Sequence, residues 1–599
     1  MVNIKMSTNG VKELQNGSAQ TEAQMPKTEK SASGSYLIPK TVPFSSALQV
    51  PPEYTRAQNR NHLLVNCPID SNLHFIYGTA GFRTKDDYMT FIAYRTGVFA
   101  GYRARKLGKN IGLMITASHN LCGDNGIKIV DPMGEMLDQQ YETSLTNLIN
   151  KSDEEFLHDV NQMESSADKT VADVCVHVAW DTRQSSLYLA VAAGNGIGQT
   201  GTKSAAHNYL TTPQLHYMVR VSNDSDYGPR HPIEKRFYDA VLQFRDHTHN
   251  HNNINYTSEV FVDCANGVGA ERIHGYTEPL GSQIINLGVV NIDIRSYKKL
   301  NNACGADFVK LNRKLPMDFE DDVEPGTRCV SLDGDADRLV YFYQDKKEPR
   351  AFHLLDGDYI AALFAKFLIK HLDELKLLNK ADGVQQRDKF TFAVIQTAYS
   401  NGNSTRYFEK TLRCKVVMTN TGIKNLHHAA QKFDIAVYFE ANGHGTVTFS
   451  PAFYQRIRQM REDQPENPFV GRLDAFTRII NECVGDAIAD LLAVEQLLWY
   501  YDWSAEMWLK KTFNSAPTVQ LKIPVENRSF YKSSEENETK LIKPEGMQKS
   551  IDKILKKYKK ARAFVRPSGT ENVLRVYAEA DTKSDAESLA NELKNLFPQ

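Results

Sequence analysis

The stretch Ile111-Gly-Leu-Met-Ile-Thr-Ala-Ser118-His-Asn120 decides how the whole chain is read. Its apolar run, Ile111 to Ile115, has the length and composition of a buried strand. Small and polar residues follow at once, and the end of such a strand is where an α/β protein exposes a side chain to a crevice. A serine hydroxyl is a weak nucleophile until something activates it. Carrying a phosphate, it becomes a dianionic donor that needs a cation and positive neighbours. A serine so placed also serves simply to hydrogen-bond its own backbone, so the rest of the chain must decide. Cys122-Gly-Asp-Asn-Gly126 turns the chain beyond it, and Lys128 follows.

Working outward, 599 residues are too many for one core, and three to five domains are expected. With 41% hydrophobic and 24% charged residues the composition is that of a soluble globular protein. Lys+Arg 71 against Asp+Glu 72 leaves a net charge of -1. No global field recruits nucleic acid or an anionic membrane, so any anion site must be local. The eight cysteines are scattered and form no CxxC pair. They read as buried thiols of a reducing compartment, with the cytosol as the default, rather than a disulfide frame. No uninterrupted apolar run reaches membrane-spanning length, and the polar N-terminus has no signal-peptide pattern.

Residues 1–71, rich in Ser, Thr, Asn, Gln, Lys and Pro, are expected to form a flexible extension. Order is expected from His74-Phe-Ile-Tyr-Gly-Thr-Ala-Gly-Phe-Arg83 onward. Residues 72–250 form a first domain carrying Ser118, 251–355 a second and 356–512 a third with connecting helices. Residues 513–599 form a smaller last domain. Met89 to Arg105 has helical apolar spacing; Val174–Trp180, Glu259–Asp263, Phe392–Gln396 and Ile435–Phe439 read as strands. Leu210 to Leu215 reads as another strand-to-turn edge. The histidines of residues 245–253 read as a solvated loop, because no Cys or acidic cluster completes a zinc set. Strands alternating with helices predict parallel sheets with helices on both faces, ligands gathering at strand carboxyl ends. Ser584 and Glu587 have the spacing of a capping box for the last helix.

Three motifs carry chemistry. Asp333-Gly-Asp335-Ala-Asp337 crowds three carboxylates after a buried strand, and a cation relieves their repulsion. Oxygen ligands select a hard ion, and a small loop with open positions for phosphate and water suits Mg²⁺ better than Ca²⁺. An EF-hand is excluded, since no Glu follows at the required distance and a strand precedes the loop. Arg566-Pro567-Ser568-Gly569-Thr570, with Arg575 beyond, has the glycine, hydroxyls and forked guanidinium groups of a phosphate cradle. Glu440-Ala441-Asn442-Gly-His444 offers an acceptor and an amide for sugar hydroxyls or an acetamido group, and an imidazole that carries charge or moves a proton. Taken alone, this last stretch reads first as a satisfied polar turn.

A donor serine, a metal loop, a sugar loop and a phosphate cradle in four successive segments point to phosphoryl transfer on a phosphosugar. Tyr77-Gly-Thr-Ala-Gly-Phe-Arg83, Thr116 to Asn120, Thr211 to Tyr217, Cys304-Gly-Ala-Asp307, Asp333 to Arg338, Gln396-Thr-Ala-Tyr399, Glu440 to Gly445 and Arg566 to Thr570 together resemble the α-D-phosphohexomutase superfamily. Glu-Ala-Asn-Gly-His in the sugar loop points to its acetylglucosamine branch. The resemblance implies an isomerase with three mixed or parallel α/β sandwich domains and a smaller α+β domain around a central cleft. It implies that Ser118 is a phosphoserine, and that Mg²⁺ is held by Asp333, Asp335, Asp337 and a phosphate oxygen on Ser118. His119 and Lys128 match positions beside the donor phosphate, and Arg338 follows the metal loop. Glu440 and Asn442 would hold the sugar, and Arg566 to Thr570 with Arg575 the non-reacting phosphate. The implied reaction interconverts N-acetylglucosamine 6-phosphate and 1-phosphate. The alternatives are a mutase of glucose or mannose phosphates, and a paralogue that binds phosphosugars without turnover. The first domain departs from the family pattern at Leu121, where proline is usual, at Ala179-Trp180, and over Ala193 to Asn208.

Overall fold

The computed structural model describes residues 50–166, 173–248, 253–319, 323–348, 351–379, 389–568 and 572–597. Four sheets follow one another along the chain, and a two-stranded ribbon joins Lys532–Ser533 to Leu541–Lys543. The first sheet has the order Phe82–Lys85, Asp124–Val130, Ile111–Ile115, Cys175–Trp180 and Lys203–Tyr209. Ile111–Ile115 is central and buried along its whole length, as its unbroken apolar run requires. It pairs parallel with Cys175–Trp180 but antiparallel with Asp124–Val130. The second sheet runs Phe352–Leu355, Leu339–Gln344, Cys329–Leu332, Glu259–Asp263 and Asn286–Val290. The third runs Lys415–Thr419, Phe392–Thr397, Ile435–Phe439 and Gly445–Phe449. The last, Thr518–Pro524, Val573–Glu579 and Arg562–Pro567, is antiparallel throughout.

The sheets are therefore mixed, and the mixing has one pattern. Ile115 to Asp124, Leu332 to Leu339, Phe439 to Gly445 and Pro567 to Val573 are each the connection between two antiparallel neighbours. Every motif loop is a hairpin connection. A parallel strand must leave through a long crossover, whereas a hairpin returns within a few residues and holds its tip by both ends. That is a stiffer mount for polar groups than the βα turns of a purely parallel sheet.

Several expectations are corrected. Order begins well before His74. Tyr54, Asn59, Asn61 and Ile69 are buried, and the Tyr54 ring stacks on Tyr94 at 4.7 Å. The Asn59 amide donates to Cys67 O and Asp87 O while its oxygen accepts from Phe91 N. The segment looked like a tail because its anchors are amides rather than aliphatic groups. Leu210 to Leu215 is a helix start, not a strand edge. The strand Lys203–Tyr209 ends before it, and Thr211 and Gln214 form a reciprocal capping box on the helix Thr212–Asn223. Ala193 to Asn208 holds the end of the helix Ser186–Gln199 and this edge strand. That helix packs on Met89–Leu107 so closely that a Cβ on Gly196 would lie 2.0 Å from Tyr94 O. The last helix, Lys583–Lys594, is capped by Thr582, whose side chain accepts from Asp585 N, rather than by Ser584. Of the histidine-rich run, residues 249–252 lie outside the described residues.

Two buried ties join the units. Arg328 pairs with Glu495 at 2.6 Å, and Tyr256 and Tyr341 donate to the same carboxylate, fixing the second sheet to the helix Ala487–Tyr501. Glu579 accepts from Gly402 N at 2.9 Å and from Tyr577, and pairs with Arg562, fixing the last sheet to the third. Among the described residues no helix is long and apolar enough to cross a membrane.

Candidate active site

Ser118 sits just past its strand with a left-handed backbone, φ 51°. That conformation costs an L-residue about 1–2 kcal/mol, so neighbours must hold it. They do so on both sides. Ser118 N donates to Thr116 Oγ1 at 2.9 Å, and that hydroxyl donates to Asp181. Ser118 O accepts from Arg183 Nη2 at 3.1 Å and from Asn301 Nδ2 at 2.8 Å, and both also grip Asn120 O. A Cβ on Gly334 would lie 2.7 Å from Ser118 O, so only glycine lets the two loops approach this closely.

The approach puts the Ser118 hydroxyl on the acidic loop. Its Oγ donates to Asp333 Oδ2 at 2.7 Å and lies 3.5 Å from Asp337 Oδ1. Asp333, Asp335 and Asp337 are buried, with ligand atoms within 4.8 Å of one another. Burial pushes the Asp333 carboxyl well above the usual range, reinforced by Asp337 and Asp335. Burial acts on Asp337 the same way, but His444, Lys128 and Arg338 outweigh it and hold that carboxyl well below the range. Lys128 Nζ bridges Asp335 and Asp337 at 3.1 and 3.3 Å, and the His444 ring lies 3.1 Å from Asp337. Arg338 pairs with Asp307 at 3.2 Å and lies 3.6 Å from Asp337. Asp333 has only the more distant Arg338 Nε, 3.8 Å away, to set against its neighbours' charge, and Asp335 Oδ1 is buried without a hydrogen-bond partner among the described residues. This is a donor set that a hard divalent cation completes.

A cleft opens over these groups, lined by Arg83, Ser118, Lys128, Arg338, Lys424 and His444 among others. Arg83 Nε and Nη2 and His444 Nε2 are buried beside it without hydrogen-bond partners among the described residues. Orphaned donors around a cavity walled by Arg83, Lys128, Arg338 and Lys424 are suited to an anion with several acceptor oxygens. His119, 3.4 Å from Asp307, is pushed down to about 2 by burial, with Arg338 and Arg83 adding to it. It is neutral at working pH and offers a hydrogen bond, not a charge.

The sugar loop closes one wall. Glu440 and His444 line the cleft; Ala441 and Asn442 are half-buried in the same turn. Asn442 Nδ2 donates to Glu440 Oε2 at 3.3 Å, and its Oδ1 accepts from His444 N at 3.0 Å. The cradle stands apart: its described residues are not among those walling the cleft. Arg566 and Arg575 face each other across one rung of the last hairpin, Ser568 is buried, and Gly569 and Thr570 lie outside the described residues.

Six contributors were not singled out as site residues from sequence. Thr212 Oγ1 donates to Asp335 Oδ2 at 2.6 Å, and its helix sets the positive end of its dipole there. The capping-box spacing at Thr211 was the available signal. Arg83 ends a quoted motif, and Asp181 and Arg183 follow at once after the strand read over Val174–Trp180. Asn301, in an asparagine turn, and Lys424, paired with Glu142, carried no signal.

Comparison with known proteins agrees with this geometry. Models of the phosphoglucomutase/phosphomannomutase α/β/α domain I and C-terminal domain match residues 93–156 and 521–596, and that of phosphoacetylglucosamine mutase AMG1 domain III matches 356–503. Human phosphoacetylglucosamine mutase is 40% identical over 528 residues, covering 86% of this chain and 92% of its own; the Candida albicans enzyme is 38% identical, covering 90% and 99%. The chain belongs to the phosphoacetylglucosamine mutase family. A crystal structure of N-acetylglucosamine-phosphate mutase in its substrate complex superposes with a TM-score of 0.80 at 38% identity, covering 88% of this chain and 97% of that one. The Aspergillus fumigatus N-acetylphosphoglucosamine mutase, in complex with GlcNAc-6P and magnesium, superposes with a TM-score of 0.80 at 37% identity, covering 91% and 99%. Membership of the phosphoacetylglucosamine mutase family accounts for the mixed sheets and for the four motif loops.

Proposed function

We propose that the protein interconverts N-acetylglucosamine 6-phosphate and N-acetylglucosamine 1-phosphate through a phosphoserine at Ser118 and a bisphosphorylated sugar. The 2.7 Å contact between the Ser118 hydroxyl and Asp333, inside a cation-lined cleft, carries the reading. The sugar 1-hydroxyl attacks the phosphorus, its bond to Ser118 Oγ breaks, and the serine ends the half-reaction protonated. The bisphosphate then reverses end for end, and its 6-phosphoryl group returns to Ser118. Asp333, Asp335 and Asp337, with a phosphate oxygen on Ser118, would hold Mg²⁺, which when bound neutralises charge in a loose transition state. Lys128, Arg338 and Arg83 balance the phosphoryl charge, with His119 donating a hydrogen bond. Glu440 and Asn442 grip sugar hydroxyls and the acetamido group. Arg566 to Thr570 and Arg575 hold whichever phosphate is not reacting, so remote binding energy orients the reacting end. That role needs the last domain to swing toward the cleft, which also excludes the water that hydrolyses a phosphoserine.

Eight free cysteines support a reducing, cytosolic setting, and the product is a precursor for UDP-N-acetylglucosamine synthesis. The test is intact mass spectrometry with turnover assays. The protein incubated with sugar bisphosphate gains one phosphoryl group, Ser118→Ala does not, and N-acetylglucosamine 6-phosphate is turned over faster than glucose 1-phosphate. No phosphoryl gain, or a preference for the glucose compound, overturns the reading.

A further inference from the structure

The hairpin loop Ser534-Glu-Glu-Asn-Glu-Thr539 of the last domain places a carboxylate where the cradle arginine needs an anion. Glu538 has a left-handed backbone, φ 57°, a conformation side chains rarely adopt. It is held there by Glu538 N donating to Ser534 O at 3.2 Å, and by Asn537 Oδ1 accepting from Thr539 N and Oγ1. The result aims the Glu538 side chain back across the domain boundary. Its Oε1 accepts from Arg566 Nη1 at 2.9 Å, and its Oε2 accepts from Thr421 N at 3.1 Å. Asn420 Nδ2 donates to Glu535 O at 2.7 Å beside it. Arg566 Nε donates to Tyr399 OH at 3.1 Å, so the guanidinium is already oriented. Thr421 is followed by Gly422, Ile423 and Lys424, which line the catalytic cleft. One carboxylate therefore joins the arginine of the phosphate cradle to a loop that forms the wall of the reaction chamber.

We infer that Glu538 is a displaceable stand-in for substrate phosphate, occupying Arg566 and bridging the last domain to the 420–424 loop until a phosphate dianion takes its place. The inference rests on the reading of Arg566 as a phosphate ligand. A carboxylate and a phosphate present the same acceptor geometry to a guanidinium fork, but the phosphate carries more charge and a third oxygen. The Arg566 and Glu538 side chains keep 14% and 20% of their exposure. The pair is mostly buried, so a carboxylate leaving Arg566 has to be replaced there by another anion rather than by water alone. Displacing Glu538 also breaks its bond to Thr421 N, so phosphate arrival at the cradle removes one tie on the loop at the cleft wall, while Asn420 and Lys424 keep theirs. A monoanion gains little by the exchange, so the contact selects for dianionic phosphate.

The test uses inorganic phosphate as the probe on the full-length protein, by titration calorimetry of wild type, Glu538→Gln and Arg566→Gln. Glu538→Gln keeps the shape and loses the charge, and binds phosphate about fivefold more tightly than wild type, the scale of a partly exposed ion pair. Arg566→Gln binds it more weakly. If Arg566→Gln is weakened but Glu538→Gln binds no tighter than wild type, the stand-in role is wrong and the cradle reading survives. If Arg566→Gln binds like wild type, the cradle reading itself fails. Hydrogen exchange on wild type gives a measurement that needs no variant. The Thr421 amide exchanges faster at saturating phosphate, and unchanged protection there overturns the displacement.

Discussion

Thr212 shows how a single side chain sets the charge state of a buried cluster. Its hydroxyl is bonded to Asp335 Oδ2, and with Lys128 it keeps that carboxyl below the ordinary range against burial and the neighbouring Asp337. Thr212→Val keeps the volume and removes the donor. It is expected to lower affinity for Mg²⁺ about tenfold, the usual effect of losing an outer partner of a metal ligand, read as a shift in the Mg²⁺ dependence of turnover. Asn301 acts on the other half of the site, through the carbonyls of Ser118 and Asn120. Asn301→Ala leaves the Ser118 carbonyl with its bond from Arg183, and Thr116 still holds the amide side. The expected result is a fall in kcat of about tenfold or more, a displacement of reacting groups being costly, with the melting temperature little changed.

At the scale of elements, the cap of the last helix gives a direct comparison. Thr582→Ala should cost about 1 kcal/mol as a lost N-cap, and Ser584→Ala much less, since the Thr582 side chain is the one bonded to Asp585 N. Thermal melts of the two variants decide it. The helix Gly357–Glu374 carries a pH dependence. Asp358 is buried at its start, and burial, with Asp356 adding to it, pushes its carboxyl up to about 7. A carboxyl whose folded pKa lies above its unfolded one binds the proton more tightly in the native state. Its contribution to stability is full below about pH 4 and is lost as pH rises through 7. The melting temperature should fall over that window, and Asp358→Asn should flatten the slope. What sequence pattern could not show at this scale was strand direction. The apolar runs at Ile111, Cys329 and Ile435 mark strands, but they do not say that the next strand returns antiparallel, because both pairings bury the same side chains.

At the scale of the whole molecule, stability rests on ties between units that are far apart in the chain. Glu495→Gln leaves Arg328 charged and unpaired in the interior, and should destabilise by about 3–5 kcal/mol, seen as a large drop in melting temperature with kcat/KM of the surviving enzyme unchanged. Asn59→Ala should cost about 1–3 kcal/mol through its orphaned partners, an effect that would be absent if residues 50–71 were a loose tail. Ser118, the three aspartates, Lys128, Arg338, Glu440 and His444 were legible because each chemistry is written in a short contiguous motif, and the structure brings them to one cleft. Asn301, Lys424 and Glu538 were not legible, and Thr212 only through the capping-box spacing at Thr211, because each acts on a residue more than a hundred positions away or on another unit. The amino-acid sequence by itself determined which side chains carry phosphoryl chemistry and that they stand at strand ends, since local polarity and hydrophobic runs are properties of neighbours in the chain. Only the tertiary structure decided which loops meet, which carboxylate is least compensated and which anion occupies Arg566, because Coulomb and hydrogen-bond energies depend on distances in space that no local pattern encodes.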